Sequence, residues 1–160
     1  MHLASRAACV AVLALGLHGL AARPSEAAET RRHAFIVLGN PVSGREDEFV
    51  TWYSGQHFHD LLNIQGVVAA QFFRLSDPQY REGQPHPYRY MVIWEIETDD
   101  LPAVFLRIQQ GLATGTTVRS SAMDRESTNN TFTPVTERIT AEQARGRSVA
   151  EVLHMSTPAR

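Results

Sequence analysis

Residues 88–96 (YRYMVIWEI) constrain the fold more than any other stretch of this chain. They alternate with the period of a β-strand, yet they are apolar on both faces: Tyr90, Val92 and Trp94 on one, Met91 and Ile93 on the other. Residues 67–75 (VVAAQFFRL) repeat the pattern, with Val67, Ala69 and Phe73 alternating with Val68, Ala70 and Phe72. An antiparallel sheet that leaves one face in water shows polar residues there. These strands therefore belong to a sheet that is covered on both sides.

The remaining segments set the order β-α-β-β-α-β. A strand over residues 34–39 (AFIVLG) ends at Asn40-Pro41, a turn signal. Ser43 and Glu46 have the spacing of a capping box, which predicts a helix from there to about Leu62, ended by Gly66. Asp99 and Asp100 cap a second helix, on which Leu101, Val104, Phe105, Ile108 and Leu112 form one apolar stripe. A Pro-rich and polar loop over 76–87 joins the middle strands, and a last strand is expected at about 130–138. The tail, 139–160, is polar apart from Val149, Val152 and Leu153, and either docks as a small helix or stays loose. Two helices cover one face of such a sheet. A second copy of the same sheet is the economical cover for the other, so a homodimer is expected, with the tail as the alternative cover.

Composition closes much of the chemical menu. The 160 residues suit one domain with a sizeable core. All 15 basic residues are arginine, which removes Schiff-base lysines, lysine general bases and P-loops. With 17 acidic residues the net charge is −2, and no basic cluster speaks for nucleic acid. Residues 1–27 read as a secretory signal peptide: Arg6, an apolar run over 7–17 too short for a bilayer of about 20 residues, and the small-x-small Ser25-Glu26-Ala27. An uncleaved anchor is the alternative. Cleavage after Ala27 removes Arg6, Arg23 and Glu26 and leaves 13 basic against 16 acidic residues, a net −3. It also removes Cys9, the only cysteine, so disulfides, thiolate metal sites and cysteine nucleophiles are excluded. The expected protein is periplasmic or secreted, with its domain over 28–138 and no membrane attachment after cleavage.

The first helix holds the residues with chemistry. At about 100° per residue, with Phe49 at 0°, Asp60 falls near 20°, Tyr53 near 40° and His57 near 80°. His57 and Asp60 thus lie within the inward arc, where an ionisable pair is hydrogen-bonded or costs a few kcal/mol, roughly. A His–Asp pair at i, i+3 orients an imidazole and raises its basicity, as general-base catalysis requires. The bland alternative is a core histidine satisfied by a backbone carbonyl. His57 and His59 point about 200° apart on a helix and do not chelate one ion, so no metal site is expected. A lone histidine as haem ligand is chemically possible and no more. Tyr88, Tyr90 and Trp94 share a strand face that is either core, dimer interface or the wall of a hydrophobic pocket.

The string 48–57 (EFVTWYSGQH), followed by Asp60-Leu61-Leu62, Ile64-Gln65-Gly66 and residues 90–96 (YMVIWEI), resembles the EthD-like branch of the dimeric α/β-barrel proteins. The resemblance runs over about 34–138. It implies an α+β fold, a ferredoxin-like β-α-β-β-α-β protomer with a four-stranded antiparallel sheet, pairing as a dimeric α/β barrel. It also implies a ligand cleft between sheet and helices with His57 pointing into it. Cofactor-free monooxygenases, cyclases, isomerases and dehydratases in the wider superfamily act on small hydrophobic or aromatic compounds, and others handle haem. Two departures stand out: Gln65 where proline is frequent, and Phe72 where arginine is, the latter favouring an apolar ligand.

The expected site is therefore catalytic His57 as base or acid, Asp60 as its orienter and Tyr53 as hydrogen-bond donor to a ligand oxygen, with Trp52, Phe72, Tyr90 and Trp94 around a small hydrophobic or aromatic molecule. No cofactor is expected. The alternatives are a non-catalytic periplasmic binding protein for a hydrophobic ligand and a haem-binding protein.

Overall fold

A computed structural model describes residues 29–158; the expected signal peptide lies outside them. Four strands, β1 (Arg31–Gly39), β2 (Val67–Arg74), β3 (Tyr90–Thr98) and β4 (Thr128–Phe132), form one antiparallel sheet in the order β2-β3-β1-β4. Between β1 and β2 run α1 (Glu46–Trp52), a π-helical turn (Tyr53–His57) and α2 (Phe58–Leu62) as one continuous helix. Helix α3 (Leu101–Thr114) connects β3 to β4. The result is two interleaved split β-α-β units, the ferredoxin-like α+β fold.

Local signals account for most element ends. Asp100 caps α3 by accepting the Ala103 N–H at 3.0 Å, and Gly115, at φ 78°, ends it. The expected capping box at Ser43 does not form. Gly44 takes φ 79° inside a turn closed by the Arg45 N–H on the Val42 carbonyl at 3.0 Å, which makes Arg45 the N-cap and leaves Ser43 in the turn. Glu46, Asp47 and Glu48 in the first turn favour the helix dipole instead. The last strand is shorter and earlier than expected, since Pro134 has no N–H to continue the ladder. The tail forms α4 (Ala141–Ala144) and α5 (Val149–Ser156), each with a capping box, and is tied back by the Glu137 N–H on the Ser156 carbonyl at 2.8 Å.

The two sheet faces differ sharply. Tyr90, Val92, Trp94 and Ile96 of β3 are buried under the helices, with Phe49, Tyr53, Leu61 and Val104 completing the core. On β2 a bulge between Val67 and Ala69 shifts the alternation by one residue. Val67, Ala70 and Phe72, rather than Val67, Ala69 and Phe73, therefore pack toward the core. The opposite face carries Phe73, Met91 and Leu38 in one row, Gln71, Ile93, Ile36 and Asn130 in the next, and Ala69, the exposed Glu95, Ala34 and Phe132 in a third. None of these is buried, and Phe132 is 56% exposed.

Candidate active site

The π turn is the irregularity on which the site is built. Ser54 Oγ donates to the Val50 carbonyl at 2.7 Å, a side-chain bond that competes with the regular backbone pattern. The Phe58 N–H reaches the Tyr53 carbonyl five residues back. Single π turns of this kind inside α-helices recur at functional sites. Here the turn begins at Tyr53 and ends at His57, and both side chains line a cavity of about 920 Å³ between the sheet and the helices.

Aromatic rings fix the imidazole. The His57 ring stacks on Trp52 at 4.5 Å between centroids and 26°, and meets Tyr53 and Trp94 edge-on at 4.9 and 5.6 Å. Among the described residues His57 Nδ1 is buried with no hydrogen-bond partner, and so is Trp94 Nε1. Burial pushes His57 down to about 4, against the opposing pull of the Asp60 charge, so the imidazole is neutral at pH 7. Burial pushes the Tyr53 phenol up, with the nearby Trp94 indole opposing it weakly and forming no well-made hydrogen bond. Tyr53 is thus a phenol that stays protonated.

Asp60 does not orient His57. Its side chain is only 5% exposed, and its oxygens are already engaged: Oδ2 accepts the Val118 N–H at 2.8 Å and Oδ1 the Gln56 amide at 2.6 Å. His59, on the solvent side, stands 3.5 Å away. Burial raises the Asp60 pKa, but these donors outweigh it and hold the carboxyl below its usual value. The Val118 carbonyl accepts the Trp52 indole N–H at 3.0 Å. Asp60 and Trp52 together grip both backbone polar groups of Val118, in the loop between α3 and β4 that roofs the cavity.

The other expected site residues divide. Trp52 and Trp94 line the cavity. Phe72 does not: it stacks on Tyr53 at 4.8 Å and lies edge-on to Phe49 at 5.9 Å, as packing beneath the site. Tyr90 is buried away from the cavity, its hydroxyl donating to Glu46, which also accepts from Arg89 at 2.9 Å. Tyr88 precedes β3 and does not share its face. The lining residues missed by sequence reasoning include Phe35 and Val37 on β1, Ile108 and Leu112 on α3, and the loop residues Arg119 and Arg125. The α3 stripe signalled its pair; the loop residues carried no periodic signal. Among the described residues no group of three or more His, Asp or Glu is placed to hold a metal ion, and no helix is long and apolar enough to cross a membrane.

The chain matches no family model and no curated protein. Among solved structures it is similar to a protein from Shewanella loihica PV-4 provisionally assigned as a monooxygenase, at 10% identity and a TM-score of 0.45, over 64% of this chain and 93% of that one. A likeness at this level says nothing about the reaction.

Proposed function

We propose that the cavity takes a small hydrophobic or aromatic molecule and that His57 transfers a proton to or from it without a tightly held cofactor. The observation that carries this reading is a neutral imidazole, its Nδ1 without a partner among the described residues, held by three aromatic rings in the wall of a 920 Å³ cavity. That volume is within the usual range for ligand pockets, about 300–1,000 Å³. His57 enters the reaction as a base, since burial keeps it unprotonated, and Tyr53 keeps its proton to donate to a carbonyl or phenolic oxygen. Asp60 serves as a positioning residue for the roof. In this reading the chain is an exported, EthD-like member of the dimeric α/β-barrel proteins, and two copies pair through the helix-free face of the sheet.

One observation favours a second reading, a binding protein without catalysis: a histidine held near pKa 4 is a weak base at neutral pH. The two part on one experiment. Wild type and His57→Gln are incubated with small aromatic ketones, phenols and lactones, and the mixtures are followed by mass spectrometry. Catalysis predicts conversion by wild type that falls at least about a hundredfold in the variant, the usual scale of one acid–base residue. Compounds that bind wild type and return unchanged establish the second reading instead.

A further inference from the structure

The cavity has an apolar interior and a polar rim, and the rim's charge is unbalanced. Phe35, Val37, Ile108, Leu112 and Met123 join the aromatic residues inside, while Arg119 and Arg125 stand at the edge in the α3–β4 loop. The third charged lining residue is Asp124, whose Oδ1 accepts the Glu126 N–H at 3.1 Å. Neither arginine forms an ion pair among the described residues, although several exposed arginines elsewhere do. Two guanidinium groups against one carboxylate, beside a neutral imidazole, leave a net positive edge on an apolar chamber.

The loop that carries these arginines is tied down at both ends of the Arg119 segment. Val118 is held by Asp60 and Trp52. Ser121 is held by Arg45, whose Nη1 donates to the Ser121 carbonyl at 2.8 Å and reaches its hydroxyl at 3.1 Å. The Val42 N–H bonds the Ala122 carbonyl at 2.7 Å, and the Asp124 N–H bonds the Asn40 carbonyl at 2.9 Å. Arg119 and Arg125 therefore project from a backbone that is already ordered, which lowers the entropy lost when a ligand is clamped.

We propose that Arg119 and Arg125 read an anionic group, so that the ligand is an amphipathic carboxylate: an apolar or aromatic body inside the cavity and a carboxylate at the loop. Guanidinium matches a carboxylate with two parallel N–H donors, a geometry that an uncharged amide does not satisfy. This rests on the small-molecule reading of the cavity and narrows it to a chemical class.

The test uses two probes of equal shape, 4-phenylbutanoate and 4-phenylbutanamide. The chain has two tryptophans, Trp52 and Trp94, and both line the cavity, so intrinsic fluorescence reports its occupancy. Wild type is expected to bind the carboxylate about tenfold more tightly than the amide, a preference that weakens as salt is raised. The double variant R119Q/R125Q is expected to lose the preference while binding the amide as wild type does. Equal binding of the two probes by wild type, or a preference that survives in the double variant, overturns the anion-reading role and leaves the cavity reading standing. Failure of both probes to bind wild type overturns both.

Discussion

The neutrality of His57 has a cost that pH exposes. Its folded pKa, about 4, lies below the ordinary value of 6.5, so the unfolded chain takes up a proton that the folded chain refuses. The stability of the folded state is fully present above about pH 6.5 and falls as pH drops toward 4; a shift of this size corresponds to a loss of about 3 kcal/mol. Urea denaturation at a series of pH values is expected to show this decline in wild type and a flatter curve in His57→Phe, where a ring can still stack on Trp52. Parallel curves for the two proteins would assign the acid sensitivity to other groups. The inward placement of His57 was legible from helical spacing. Its partner was not. Spacing put Asp60 beside the imidazole, but the Val118 N–H that claims the carboxylate comes from 58 residues further along the chain.

At the level of elements, the turn from α2 into β2 leaves no room for a side chain. Gly66 takes φ 98°, and a Cβ there would stand 2.8 Å from Val104 Cγ2, a side chain with no exposed surface. Gly66→Ala combines a backbone conformation that L-residues avoid with overpacking of the core, and is expected to destabilise by about 2–4 kcal/mol in urea denaturation. Pairing it with Val104→Ala, which removes the Cγ2, should give a combined loss smaller than the sum of the two; strict additivity would mean that the backbone strain acts alone. Element order and the α3 cap were readable in advance because both rest on periodicity and one capping side chain. The π turn was not, because its competing bond, Ser54 to Val50, uses a residue type that is common in ordinary helices. The β2 bulge was missed for a similar reason: Val67, Val68 and Ala69 are all apolar, and a shift among alike residues leaves no mark in the pattern.

For the whole molecule, the open sheet face sets the expectation. Ile93 sits at its centre, flanked by Ile36 of β1 and Gln71 of β2 in the same row. The tail does not bury that face: Val149 and Leu153 of α5 are themselves largely exposed, and the apolar residues of the sheet face are not buried. Ile93→Glu is expected to convert a dimer into a folded monomer in sedimentation velocity, because it puts a second carboxylate at the centre of the face, two residues from the native Glu95 and without a partner. A wild type that sediments as a monomer at tens of micromolar would remove the pairing. The sequence by itself determined the fold class, the inward helix that carries His57 and the absence of lysine chemistry, since each follows from local periodicity or composition. Only the tertiary structure decided which groups meet. It moved Phe72 and Tyr90 out of the site, gave Asp60 to the roof of the cavity, and brought Arg119 and Arg125 to its edge, because a cavity is made by residues distant in the chain whose proximity no local pattern encodes.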